Sequence, residues 1–217
     1  MATWITHLRI AENILNKGYA LDTTAFTVGN IGPDSGVPNE DWSSFNPPKG
    51  VTHWIDDSNQ INAKAFYDKY IANTTQRQDK AYFSFILGYY VHLLTDIEWS
   101  KLIDVKKLNP LHKEGFEKDS KFIWTIKKDW YGLDFLYLKN NPKSLFFTVF
   151  KDILEVPTYL DYFPENAFMI QVKYITDYYL GDNEETKEDF IYLNQNEMDA
   201  FVVNATQTIT TALATVL

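Results

Sequence analysis

Two residues suited to acid–base or metal chemistry lie inside the most apolar stretch of the 217-residue chain, Tyr82–Trp99. His92 and Asp96 are four positions apart, so on a helix they project from the same face, one turn from each other. Gly88 lies one turn earlier on that face and leaves room for another group to approach. A buried carboxylate costs free energy unless it is paired or bound to a metal. The spacing therefore predicts a buried ion pair, which is the commoner arrangement for such a pair alone, or half of a metal site.

The chain contains four histidines, and two of the other three lie at places that are unusual for a filler residue. His7 opens the first predicted helix, whereas Asp34 and His53 lie in a long segment rich in Gly, Pro, Asn and Asp. Taken singly, these are an ordinary helix residue, a turn residue and a surface residue. Imidazoles and carboxylates are, however, the ligand set of zinc and similar ions. Together they favour a metal site with a rigid half on the apolar helix and a movable half on the loop.

Helical periodicity surrounds these residues, and there is little period-two alternation anywhere in the chain. The predicted fold class is all-α: one domain over residues 1–217, a multi-helix bundle around a buried central helix at about 78–103. A long loop at 29–59 is predicted to be ordered, because its aromatic residues argue against disorder. The segment DWYGLDFLYL, from Asp129, is interpreted as a junction between two helical pieces. The other predicted helices are 3–17, 23–28, 62–73, 116–128, 133–139, 142–154, 166–179 and 196–213.

Composition excludes several classes of function. A net charge of -9 argues against nucleic acid as a standing partner, although a metal could still supply positive charge to a phosphate substrate. The absence of cysteine excludes disulfides, thiolate metal sites and a cysteine nucleophile. The first residues do not have the pattern of a signal peptide, and no apolar run is long enough to span a bilayer. A cytoplasmic protein is the resulting expectation.

Four motifs occur in order in the first hundred residues: THLRIAENIL from Thr6, GNIGPD ending at Asp34, Thr-His ending at His53, and LGYYVHLLTD ending at Asp96. As an ordered set they resemble the zinc-dependent phospholipase C family, whose superfamily also contains fungal nucleases that cut single strands. The family fold is an all-α bundle, in agreement with the periodicity. No matching motif is found beyond about residue 100.

The resemblance implies a phospholipase C-like phosphodiesterase, that is, a zinc-dependent phosphoric ester hydrolase. Asp34, His53, His92 and Asp96 would hold one metal, and His7 and Asp96 a second, with Asp96 bridging the two. A metal-activated water would attack phosphorus, and Asp34 would also orient or deprotonate that water. One or two zinc ions are implied, although the same donors accept other divalent transition metals. The expected substrate is a small phosphoester or a phospholipid-type molecule.

The chain departs from the family pattern at several positions. Trp4 is internal, so it cannot bind the second metal through an amino group as the first residue of the secreted phospholipases does. Leu102 replaces the first histidine of the third metal site, and no H-x-x-x-E follows downstream. Substitutes as additional metal or pocket residues are His112, Glu114, Asp129 and Asp134. Ser35 and Gly50 stand where the family has headgroup-pocket aromatics, so choline specificity is not carried over.

One other functional interpretation remains open, and a further one is disfavoured by the sequence. The chain could be a non-catalytic family member in which a bound metal only stabilises the fold. A metal phosphohydrolase of the HD type would need adjacent His and Asp, which the sequence lacks. Four lysines form either a solvated face or a contact with a substrate phosphate: Lys106, Lys107, Lys127 and Lys128.

Overall fold

The computed structural model describes residues 1–72, 74, 76–181, 189–214 and 216–217. These residues form α-helices joined by turns and one short antiparallel hairpin, which confirms the predicted all-α class. The hairpin pairs β1 (Val37–Pro38) with β2 (Phe45–Asn46). The helices are α1 (Trp4–Leu15), α2 (Thr23–Gly29), α3 (Lys49–Thr52), α4 (Ala63–Tyr67), α5 (Lys80–Lys107), α6 (Pro110–Lys118), α7 (Ile123–Asn140), α8 (Leu145–Thr148), α9 (Ala167–Leu180) and α10 (Gln195–Leu213).

Helix α5 is the central helix that the apolar stretch predicts. It packs against α1, α2, α4 and α10, and its residues from Ser84 to Leu93 are buried apart from Tyr90. The Asp79 side chain caps its first turn, and Lys106 and Lys107 lie in its last turn, where cations interact favourably with the helix dipole. Lysine is also a good helix former, in agreement with the continuation of α5 beyond the predicted end at residue 103.

Helices α2 and α5 approach so closely that their backbones touch. A Cβ atom on Gly88 would lie 2.2 Å from the Phe26 carbonyl oxygen, and one on Gly29 would lie 2.2 Å from the Phe85 carbonyl oxygen. Glycine is therefore required on both sides of this crossing. The space beside Gly88 is filled by the backbone of α2, which brings the turn that follows α2 against the face of α5 that carries His92.

The loop at 29–59 is irregular, as predicted, and it folds around aromatic side chains. It contains a 3-10 turn at Gly32–Asp34, the β1–β2 hairpin and the short helix α3. The Tyr89 hydroxyl of α5 donates a hydrogen bond to the Thr52 carbonyl at 2.5 Å. The Trp54 ring packs edge-on against Phe66 of α4, with ring centroids 5.5 Å apart. These contacts attach the loop to the bundle.

Four predictions about the helices were wrong in detail. The predicted junction at Asp129 lies inside the continuous helix α7, where the Asp129 carboxylate accepts hydrogen bonds from the Tyr192 and Leu193 amides. The predicted helix 116–128 is broken by a turn between α6 and α7. The predicted helix 142–154 forms only α8 and a 3-10 turn at Phe150–Asp152. The predicted helix 62–73 is α4 followed by a π-helical turn at Asp68–Ala72; its last predicted residue, 73, lies outside the described residues.

Candidate metal centre

Five side chains from four parts of the chain converge beneath a cavity. They are contributed by α1, by the 3-10 turn after α2, by the residue that follows α3, and by two successive turns of α5: His7, Asp34, His53, His92 and Asp96. Two groups of three have ligand atoms within 4.8 Å of one another, namely His7, His92 and Asp96, and Asp34, His53 and His92. All five residues predicted from the sequence are thus brought together.

The distances between these donor atoms fit a shared ion better than hydrogen bonds. His92 Nε2 lies 3.4 Å from Asp96 Oδ2, and His7 Nε2 lies 3.5 Å from Asp96 Oδ1. His53 Nε2 lies 3.4 Å from Asp34 Oδ1 and 3.7 Å from Asp96 Oδ2. N–H···O hydrogen bonds are commonly 2.7–3.2 Å long. Two ligands of one tetrahedral zinc ion lie roughly 3.3–3.6 Å apart, as follows from zinc–ligand bonds of about 2.0–2.2 Å.

Several of the facing atoms are buried without a hydrogen-bond partner among the described residues. They are both ring nitrogens of His7, the Nε2 atoms of His53 and His92, and Oδ2 of Asp96. A buried polar atom that makes no hydrogen bond costs about 1–3 kcal/mol, so a cluster of them at one point needs a compensating partner. Nitrogen and carboxylate donors are the zinc ligand set, and the residues present therefore fit a zinc ion.

Backbone and hydroxyl partners orient two of the imidazoles. His92 Nδ1 lies 2.7 Å from the Asn30 carbonyl oxygen, to which it donates, and His53 Nδ1 lies 3.0 Å from Thr52 Oγ1. A histidine that donates through Nδ1 keeps a lone pair on Nε2, which is the tautomer that a metal ligand requires. Asn30 immediately follows α2, so the close approach of α2 and α5 also positions this carbonyl.

Each carboxylate is held by a donor near the start of the chain. The Trp4 indole Nε1 donates to Asp34 Oδ2 at 3.0 Å, and the Ala2 amide donates to Asp96 Oδ1 at 2.8 Å. Trp4 thus contacts the centre through its indole. The positions of Trp4, Ala2 and Asn30 at the site were not predicted, because no local sequence signal marks a residue that acts by contacting a distant carboxylate or imidazole.

The charges of the cluster favour the ionised carboxylates and a neutral His7. Burial, followed by the adjacent His92, lowers the pKa of His7 to about 4; the two rings stack in parallel, with centroids 3.8 Å apart. Burial acts to raise the pKa of Asp96 and of Asp34, but the surrounding imidazoles outweigh it and hold both pKa values below the usual range. Neutral imidazole and ionised carboxylate are the forms that bind metals.

The residues considered as additional metal ligands lie elsewhere. His112 is buried at α6, where its ring packs edge-on against Tyr192, and Asp129 binds the amides of the chain near Tyr192. Asp134 accepts hydrogen bonds from Thr3 Oγ1 at 2.7 Å and from Tyr179 Oη at 2.5 Å. None of these, nor Glu114, belongs to a group with metal-ligand geometry in the described part of the chain.

The buried Asp134 carboxyl predicts a pH-dependent contribution to stability. Burial raises its pKa from 3.8 to about 7, against the opposing effect of its hydrogen bonds with Tyr179 and Thr3. A carboxyl whose pKa is higher in the folded state favours folding when it is protonated. Asp134 therefore contributes fully to the free energy of unfolding below about pH 4. This contribution falls by up to about 4 kcal/mol as the pH rises to about 7.

We expect Asp134→Asn, which is neutral at every pH, to remove this loss. Urea unfolding of both proteins at pH 5 and pH 8 measures it, and the variant should gain stability relative to the wild type at pH 8. An equal fall in unfolding free energy for the two proteins between these pH values would contradict the assignment.

A cavity of about 400 Å³ opens onto the centre. Asp34 and His53 form part of its floor, and its walls are rich in aromatic rings with two lysines, Lys49 and Lys127. The aromatic residues are Trp4, Trp42, Phe45, Trp124, Trp130, Tyr131 and Tyr174. The cavity size is within the range of small-molecule sites, so a ligand of that size could reach the donor cluster.

Comparison with known proteins agrees with the geometry. Residues 6–121, more than half of the chain, match the family model described as zinc dependent phospholipase C. Neither the curated proteins nor the solved structures contain a significant match. Within the residues that the structure describes, every helix is too short or too polar to cross a membrane. The matched segment includes all five residues of the cluster, and we conclude that the chain belongs to the zinc-dependent phospholipase C family.

Proposed function

We propose that the protein is a zinc-dependent phosphodiesterase that hydrolyses a phospholipid-type phosphoester. The observation that supports this proposal is the cluster of buried nitrogen and oxygen atoms that face one another at 3.4–3.7 Å beneath an open cavity. One ion would be held by Asp34, His53, His92 and Asp96, and a second by His7 and Asp96. Zinc, when bound there, would supply Lewis acidity and lower the pKa of a coordinated water.

The proposed role of Asp34 follows from its position between the donor cluster and the cavity. Its side chain is 12% exposed, whereas those of the other four cluster residues are almost completely buried. Trp4 donates to Oδ2, so Oδ1, which faces His53, would bind the ion through one lone pair and meet a water molecule with the other. Asp34 would orient that water and accept its proton at Oδ1.

The cavity walls support an amphiphilic substrate. The rings of Trp42 and Tyr174 are 5.4 Å apart, and Phe45 packs edge-on against Trp42, so three aromatic residues form a continuous apolar wall. Such a wall suits the apolar part of a phospholipid, and the donor cluster suits its phosphate. We propose one or two ions, because His112, Glu114, Asp129 and Asp134 lie outside both donor groups.

The second candidate function is a structural metal site without catalysis. The cluster links α1, the loop and α5, so an ion there would fix the loop to the bundle. This alternative and the proposed function both predict that a chelator lowers the melting temperature. They differ in turnover.

The test is a zinc-restoration assay. Chelator-treated protein is assayed on bis(4-nitrophenyl) phosphate and on a short-chain phosphatidylglycerol, before and after zinc is added back. We expect turnover only with zinc, together with a rise in melting temperature. A rise in melting temperature without turnover of either ester would support the structural site. If zinc changed neither the melting temperature nor the turnover, the proposed function and the structural site would both be wrong. The variant His112→Gln, altered outside the cluster, is the matched control and should behave as the wild type.

A further inference from the structure

We propose that Lys49 and Lys127 form an anion-binding site at the mouth of the cavity, which selects phosphodiesters whose headgroup itself carries a negative charge. This inference rests on the proposed function and names its substrate class. Lys49 begins α3, four residues before His53, and Lys127 lies on α7. Both line the cavity that Asp34 and His53 also line.

Neither ammonium group has a carboxylate within ion-pair distance in the described part of the chain. Two of the other lysines considered as a solvated face are neutralised: Lys106 pairs with Glu197, and Lys107 with Asp104. Lys128 and several other lysines likewise have no ion pair in the part of the chain that the structure describes, so what distinguishes Lys49 and Lys127 is that both line the cavity of Asp34 and His53. The two lysines are therefore candidates for binding a negative group that is not part of the protein.

The two charges are close enough to affect each other. Burial, followed by the Lys49 charge, lowers the pKa of Lys127, with Asp34 opposing this change. The Lys127 ammonium also lies 4.7 Å from the centroid of the Trp124 ring, which holds it in place by a cation–π interaction. A positioned cation beside a second cation has an electrostatic cost that an incoming anion would relieve.

The carboxylate of Asp34 does not provide the missing counter-charge. Among the described residues that line the cavity it is the only carboxylate, and its two oxygens face His53 and Trp4. When Asp34 binds an ion, its charge is offset there. The donor cluster lies at the buried end of the cavity, where the scissile phosphate would bind. Lys49 is exposed and would therefore contact a part of the substrate nearer the mouth.

The charge of the mouth also argues against a cationic headgroup. A quaternary ammonium would find aromatic rings at Trp42 and Tyr174, but it would also meet two ammonium groups of the same sign. A phosphomonoester or carboxylate on the headgroup would accept charge-assisted hydrogen bonds from both lysines. The balance favours an anionic headgroup.

The test compares two dihexanoyl lipids below their micelle concentrations, a phosphatidylinositol phosphate and a phosphatidylcholine. Zinc-loaded wild type should turn over the anionic lipid with the higher kcat/KM. In Lys49→Gln/Lys127→Gln, KM for the anionic lipid should rise about tenfold per lysine, as expected for the loss of one charge-assisted hydrogen bond, with a smaller change in kcat. The selectivity ratio should then approach one, and Lys49→Arg/Lys127→Arg should restore it. Lys128→Gln, exposed on the same helix, is the matched control.

A binding measurement tests the lysine site independently of the proposed catalytic function. Calorimetric titration with a non-hydrolysable phosphonate of each lipid needs no turnover. Tighter binding of the anionic phosphonate that is lost in the double Gln variant supports the lysine site, even if no ester is hydrolysed. Equal binding of both phosphonates, or an equal loss of both in the variant, overturns it. The deacylated glycerophospho analogue distinguishes the source: hydrolysis of it as fast as of the lipid would indicate a soluble diester with the same headgroup charge.

Discussion

Replacing Asp96 with Asn is expected to abolish zinc binding at the shared position and to lower phosphodiester turnover by on the order of 10²–10³-fold, as when one electrostatic stabilising group is removed. Asp96 faces three imidazoles, those of His7, His53 and His92, at 3.4–3.7 Å, so its loss affects both proposed ions. An amide binds zinc far more weakly than a carboxylate does. Bound zinc per chain and kcat measure the two effects.

Stability distinguishes this account from a plain buried ion pair between His92 and Asp96. In chelator, Asp96→Asn should unfold at a lower temperature than the wild type, because the surrounding imidazoles and the Ala2 amide stabilise the ionised carboxylate in the folded state. With zinc added, the wild type alone should gain stability. Asp134→Asn, also a buried Asp-to-Asn change, is the matched control and should keep its zinc. A variant that is strongly destabilised in chelator and still binds zinc would favour the ion pair.

The second large effect is expected for Gly88→Ala. The added methyl group would lie 2.2 Å from the Phe26 carbonyl oxygen and 3.0 Å from the Gly29 Cα, and both are backbone atoms of α2 that cannot rotate away. Overpacking in a core commonly costs about 1–3 kcal/mol, and backbone contact on both sides places this change at the upper end or above. Separation of α2 from α5 would also move the Asn30 carbonyl from His92 Nδ1 and weaken zinc binding by about 10–100-fold.

Urea unfolding and zinc titration of Gly88→Ala measure the two consequences. Gly50→Ala is the matched control: a Cβ atom there meets nothing within 4 Å, so stability and zinc affinity should stay close to the wild type. If Gly88→Ala were as stable as Gly50→Ala, the close approach of the helices would not be what positions His92.

The sequence predicted the rigid half of the site for a physical reason. His92 and Asp96 share a helix face whatever the rest of the chain does, because their spacing of four matches the helical period. The positions of Asp34 and His53 cannot be predicted from helical spacing, because both lie in an irregular loop whose path is not set by the local sequence. Their assignment came from the ordered set of motifs, and the geometry brings both to the cluster.

The unpredicted features depend on contacts between distant parts of the chain. Asp129 resembled a helix cap because aspartate is favoured there, but its partners are amides more than 60 residues away. Trp4 binds Asp34 across 30 residues, and the Ala2 amide binds Asp96 across 94. Hydrogen bonds of this kind leave no periodic pattern, and only the packed structure reveals them.

Anomalous diffraction tests most directly whether zinc binds at the cluster of His7, Asp34, His53, His92 and Asp96. Data collected on both sides of the zinc absorption edge, from crystals of zinc-loaded protein, locate every bound ion. We predict a peak among Asp34, His53, His92 and Asp96, with any second peak between His7 and Asp96. Absence of a peak at the α5 face, or zinc only at another place such as His112, would contradict the account.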